Sequence, residues 1–83
     1  MRDMNWDDLR FFLAAAETGS LSAAAKRLRS NQPTIGRHID ALETALGLKL
    51  FQRHKKGLTL TQEGALILEQ SRSIQSATLN IQR

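Results

Sequence analysis

The sequence predicts a mainly α-helical chain: three helices plus a β-hairpin wing in a winged helix-turn-helix arrangement, followed by a long helix suited to dimerisation. Three observations predict it. Residues 31–46, NQPTIGRHIDALETAL, carry Ile35, Ile39, Leu42 and Leu46 at steps of four, three and four, which is one stripe of an α-helix. Only Arg29-Ser30 separates this segment from an alanine-rich stretch of helical character, so the two are joined by a tight turn. After Gly47 the period becomes alternating, around the polar loop Gln52-Arg53-His54-Lys55-Lys56-Gly57, as in a two-stranded hairpin.

The first helix starts at Asn5-Trp6-Asp7-Asp8. Asn5 can cap, and the two aspartates suit the positive end of the helix dipole. Trp6, Leu9, Phe12, Leu13 and Ala16 form its apolar stripe, and Gly19 closes it. Trp6 and the Phe11–Phe12 pair could stack on bases, but they follow the core-facing pattern of an acidic segment, which predicts core packing. Ser20 or Ser22 caps the second helix, whose buried side is Leu21, Ala25 and Leu28. Asn31 caps the third, Pro33 fits its first turn, where a missing N–H costs nothing, and Gly47 stops it. Its front carries Gln32, Pro33, Thr34, Gly36, Arg37, Asp40 and Thr44.

In the hairpin, Leu48, Leu50, Leu58 and Leu60 alternate with Lys49, Phe51, Thr59 and Thr61. An isolated hairpin is marginal, so Phe51 and the leucines are expected to pin it to the helices. Thr61-Gln62-Glu63 begins a last helix that runs to the end of the chain. Ile67, Ile74 and Ile81 recur every seven residues, with Ser71 and Thr78 between them and Leu60 one heptad earlier. Leu66 and Leu68 widen the apolar surface near the start. A narrow seam at this period suits helix pairing, and no other segment covers it. Ile67, Ile74, Ala77 and Ile81 are therefore expected to form a dimer seam. Residues 1–61 form the winged domain, and residues 62–83 the linker and dimerisation helix.

At 83 residues the chain is one small domain with a modest core, which a partner subunit would stabilise. The absence of cysteine excludes disulfides and thiolate metal sites. His38 and His54 are too few and too far apart to suggest a metal site. No apolar run is long enough to span a bilayer, and the start lacks the signal-peptide pattern, so a cytoplasmic protein is expected. There is no nucleophile motif or glycine-rich phosphate cradle. Neither an enzyme nor a cofactor is expected.

The net charge of +4 is unevenly spread. Lys26, Arg27, Arg29, Arg37, Lys49, Arg53, Lys55 and Lys56 face only Asp40 and Glu43 within residues 26–60. That asymmetry points to a polyanion, although charge alone does not separate this from a solvated basic face. Combined with a polar front on the third helix, it predicts DNA binding, with residues 31–46 in the major groove and the wing, residues 52–58, on the adjacent groove or backbone. Gln32 matches the N7/N6 edge of adenine, and Arg37 either forks to the O6/N7 edge of guanine or holds a phosphate. Thr34 offers a methyl to thymine or a hydroxyl to phosphate. Asp40 repels phosphate, and either accepts from cytosine N4 or discriminates against misplaced binding. Lys55 and Lys56 act through charge. Lys26, Arg27 and Arg29 divide between the DNA backbone and plain surface cover, and His38 between a backbone contact and a solvated role. Two rivals remain: a winged-helix protein-interaction module and a sequence-neutral DNA binder. DNA binding should collapse as salt rises, whereas apolar partner binding should not.

The segments LRFFLAAAETGSLSAAAKRL, NQPTIGRHIDALETALGLKLFQR and GLTLTQEG resemble the DNA-binding module of LysR-type transcriptional regulators. The resemblance runs from Trp6 into the last helix. It implies a bacterial regulator that binds interrupted palindromes of double-stranded DNA as a homodimer, paired through the linker helix. In the family a larger C-terminal domain senses a small molecule. The sequence shows no counterpart, so the chain is expected to be a piece cut at the linker, binding no small-molecule effector. Residue by residue, the family's contacts fall on Gln32, Pro33 and Thr34, on Arg37, and on the wing arginine Arg53. Ser22 and the loop before it fall where the second helix meets phosphate. Asn31 and Gly36 stand where serine is frequent. Gly36 either removes a polar contact or lets the backbone approach more closely.

Overall fold

The computed structural model describes residues 5–82, with side chains described through Ser73. The order is α1 (Trp6–Thr18), α2 (Leu21–Leu28), α3 (Gln32–Leu46), β1 (Phe51–His54), β2 (Gly57–Leu60) and α4 (Gln62–Gln82). The first three helices begin at side-chain caps. Asn5 Oδ1 accepts the Asp7 N–H at 2.8 Å, Ser20 Oγ the Ala23 N–H at 3.0 Å, and Asn31 Oδ1 the Thr34 N–H at 2.9 Å. Each takes up a donor that the first helical turn leaves unpaired. Of the two serines open as caps for α2, the helix uses Ser20. It ends without glycine: Arg29 takes a left-handed conformation (φ 54°, ψ 47°), and the Ser30 N–H closes back on the Ala25 carbonyl at 2.8 Å.

The core lies where α1, α2 and α3 meet under the hairpin. Phe12, Ile35, Ile39, Leu42 and Leu50 are fully buried, and Phe11 and Phe51 nearly so. Phe12 and Phe51 pack with ring centroids 5.3 Å apart. The apolar stripes of α1 and α3 thus face each other, with one exception. Trp6, expected in the α1 stripe, is 63% exposed. It is the first helical residue, one turn beyond Leu9, and the core does not extend that far.

The hairpin is shorter than the alternation suggests. Its register pairs Phe51 with Leu60, Gln52 with Thr59, Arg53 with Leu58 and His54 with Gly57, leaving Lys55-Lys56 as the turn. Leu48 is exposed, and Leu50 and Phe51 are both buried. Strict alternation through Leu48 and Leu50 would have put Phe51 outside. The reason is Glu43, whose Oε2 accepts the N–H groups of Leu50 (2.7 Å) and Phe51 (3.3 Å). The segment ahead of β1 is therefore held by a side chain of α3, and the sheet ladder begins later. The hairpin is tied down at its far end as well: the Leu58 N–H donates to the Gly19 carbonyl at 2.9 Å. At Gly57 a Cβ would lie 2.5 Å from that same oxygen, and its φ of 142° is one that side-chain-bearing residues rarely adopt.

Thr61 starts α4. Its Oγ1 accepts the Gly64 N–H at 2.9 Å and donates to the Lys49 carbonyl at 2.6 Å. The first turns pack on the winged domain. Ser71 is buried, Ile67 and Leu68 are half-buried against the core, and Leu66 is exposed. Arg72 reaches Glu17 at 3.9 Å, and Glu17 also pairs with Arg27 at 2.8 Å. Leu60, counted above as a heptad position, belongs to β2 and packs against the core.

Candidate nucleic-acid interface

The front of α3 opens onto a groove of about 570 Å³ lined by Leu21, Gln32, Pro33, Gly36, Arg37, Asp40 and Arg53. A second groove, of about 330 Å³, shares Leu21, Gln32 and Arg53, then runs past Ser20 and Ser22 to the wing residues His54, Lys55, Lys56, Gly57 and Leu58. The start of α2, the front of α3 and the wing therefore form one continuous surface. Its positive groups come from α3 and the wing that follows it in the chain, brought together where Arg53 of β1 reaches Asp40 of α3. A concave surface with amide, hydroxyl and guanidinium donors suits base edges and phosphates.

Most of the expected reading residues lie on this surface. Gln32 and Pro33 sit exposed at the start of α3. Arg37 is exposed, and its Nη2 donates to Thr34 Oγ1 at 3.3 Å, so these two act as a linked pair. Gly36 lies in the groove, and a Cβ built on it meets nothing within 4 Å. Lys55 and Lys56 are exposed at the wing turn. Ser22 is exposed in the first turn of α2. Lys26 and Arg29 are exposed but line neither groove. Arg27 is held by Glu17.

Three of the expected site residues have contacts within the chain. His38, expected at a DNA backbone or in solvent, turns toward α1. Its Nδ1 lies 2.6 Å from Asp8 Oδ1, and its ring meets Phe11 edge-on with centroids 4.2 Å apart. It is half-buried against α1 because its position on α3 turns toward that helix. Asp40, expected to meet a base or repel phosphate, lines the groove and accepts from Arg53 Nη2 at 2.7 Å. Ile67, placed on the dimer seam, is half-buried against its own core. The seam residues Ile74, Ala77 and Ile81 lie outside the described side chains.

Sequence reasoning missed Leu21 as a lining residue, covered His54 only through the wing span 52–58, and missed the two internal carboxylates Asp8 and Glu43. Leu21 looked like a purely buried position, and its period offered no hint of a groove. Glu43 was legible: it lies four residues after Ile39 and three before Leu46, on the apolar stripe, where a charge needs internal partners. Among the described residues there is no cluster of His, Cys, Asp or Glu able to hold a metal ion, and no helix is long and apolar enough to cross a membrane.

Residues 6–65 match the family model described as the bacterial regulatory helix-turn-helix protein, lysR family. The chain belongs to that family. As a lysR-family domain it is 49% identical over 69 residues to the HTH-type transcriptional regulator TfdS of Cupriavidus pinatubonensis, a match spanning 83% of this chain and 23% of that protein. It is 45% identical over 75 residues to ClcR of Pseudomonas putida, covering 90% of this chain and 26% of that protein. The lysR-family chain thus spans about a quarter of the length of the curated relatives it matches. Among solved structures, it superposes on the CbnR DNA-binding domain in a DNA complex with a TM-score of 0.88 at 42% identity, covering 93% of this chain and 88% of that one. On the BenM DNA-binding domain in complex with catB site 1 DNA the TM-score is 0.89 at 31% identity, with 94% and 88% covered. The winged helix-turn-helix expectation and the resemblance drawn from the sequence both hold.

Proposed function

We propose that two copies of this chain bind an interrupted palindrome of double-stranded DNA, as the DNA-binding part of a bacterial, cytoplasmic LysR-type transcriptional regulator. The carrying observation is the single groove that gathers Gln32, Pro33, Arg37 and Arg53 on the open front of α3, continuous with the lysine turn of the wing. The α3 front enters the major groove. Gln32 and Arg37 meet base edges, the start of α2 faces a phosphate, and Lys55 and Lys56 neutralise the backbone beside it. The relatives support this reading, since TfdS and ClcR are transcriptional regulators and the CbnR and BenM domains are solved as DNA complexes. Pairing through α4 rests on the seven-residue spacing of Ile74 and Ile81 and on Leu66, which is 57% exposed. As a non-enzymatic module it needs only to place donors and charges.

The test is selection from random duplexes by the purified chain at near-physiological salt. Enrichment of an interrupted palindrome supports the proposal. Binding without enrichment leaves only a basic surface that grips DNA. No binding at all shifts the function to protein interaction.

A further inference from the structure

The wing arginine does not project from the hairpin tip. Arg53 stands opposite Leu58 and two residues after Phe51, so it leaves the hairpin on the side that Phe51 and Leu60 turn toward the core. From that inner side its guanidinium reaches α3, where Nη2 donates to Asp40 Oδ1 at 2.7 Å. Both residues line the same groove as Gln32 and Arg37. Their side chains are 61% (Asp40) and 44% (Arg53) exposed, and an ion pair that open contributes little to folding. A carboxylate on a surface that meets a polyanion also weakens the grip on phosphate. Neither stability nor affinity accounts for the pair.

Orientation does. A guanidinium is a rigid plane with five N–H donors, and a guanine edge or a phosphate takes two of them side by side. An unrestrained arginine swivels among phosphates. One whose Nη2 is held by a carboxylate presents its remaining donors in one direction. We propose that Asp40 is a positioning residue that fixes Arg53 beside the reading helix, so that Arg53 takes part in choosing the sequence and not only in gripping the backbone. This rests on the DNA-binding reading above.

The test compares the chain with Asp40→Asn, Arg53→Gln and the double variant, on the selected duplex and on a scrambled one. Simple charge removal in Asp40→Asn predicts tighter binding to both duplexes alike. Positioning predicts that the ratio of scrambled to selected Kd falls roughly tenfold, the discrimination carried by one well-made contact. Binding to the scrambled duplex stays equal or tightens. Arg53→Gln lowers the ratio similarly, and the double variant lowers it no further. A ratio unchanged by Asp40→Asn, or losses that add in the double variant, overturns the proposal. Nuclear magnetic resonance of the free chain gives a readout without DNA: the Arg53 guanidinium signals should shift in Asp40→Asn, and unmoved signals also overturn it. If the unaltered chain binds both duplexes equally, the DNA-reading function itself fails and takes this proposal with it. A ratio preserved in Asp40→Asn sinks the positioning role alone.

Discussion

Two glycine-to-alanine changes, both inside helices, should move stability in opposite directions. In Gly64→Ala the new Cβ overlaps the Leu50 carbonyl oxygen and stands 3.1 Å from its carbon and 3.0 Å from Leu60 Cδ2. The carbonyl cannot rotate aside, because Leu50 is fully buried and its oxygen accepts the Thr61 N–H at 3.0 Å. The start of α4 must therefore lift off the domain. Overpacking against backbone belongs at the upper end of the usual range, about 3 kcal/mol. Alanine recovers at most about 1 kcal/mol of helix propensity. The net loss is roughly 2 kcal/mol, a fall in Tm on the order of 10 °C for a domain this size. Gly36→Ala brings the same propensity gain with no neighbour within 4 Å of the new Cβ, so its Tm should rise by roughly 5 °C. The assay is thermal unfolding followed by circular dichroism at one fixed protein concentration, since the proposed pairing would make Tm concentration-dependent. A Gly64→Ala variant that melts at or above the unaltered chain would refute the packing of α4 on Leu50. A lowered Tm in Gly36→Ala would refute the open front of α3.

Three further outcomes follow from the contacts. His38→Gln should lower the urea midpoint by an amount worth about 1–2 kcal/mol, since it breaks the Asp8 partnership and the Phe11 contact. It should leave the salt dependence of DNA binding unchanged, and a slope reduced by one phosphate contact would restore the backbone role. Glu43→Ala strips the acceptor from two N–H groups and should cost about 2–3 kcal/mol in the same titration; a loss below experimental error would show that those groups find water. Lys55→Ala should weaken binding to every duplex alike and reduce the salt slope by roughly one unit, as measured by titration across a salt series; an unchanged slope would take the wing turn off the DNA.

Much of this architecture was readable from local pattern. The caps at Asn5 and Asn31, the stripe Ile35–Ile39–Leu42 and the polar front of α3 depend on neighbours three or four residues away, whereas the choice of Ser20 over Ser22 as the cap of α2 came from the structure. The errors share a cause. Trp6 continued the α1 period but lay past the edge of the core. The alternation of Leu48 and Leu50 was overridden by a carboxylate that follows Ile39 by one helical turn. His38 sits on α3 close to Arg37, yet its direction was set by α1, which the period of α3 does not record.

By itself the sequence determined the order and kind of the elements, where the first and third helices start, and which residue types stand on the front of α3. Those properties follow from backbone preferences and side-chain period, which act over one or two turns. Only the tertiary structure decided how the charged groups are spent. Asp8 meets His38 across 30 residues, and Arg53 meets Asp40 across 13. A charge carries no label naming its partner; packing brings α1, α3 and β1 within hydrogen-bond reach, and so leaves Arg37, Lys55 and Lys56 facing outward while His38 and Glu43 are turned to hold the fold.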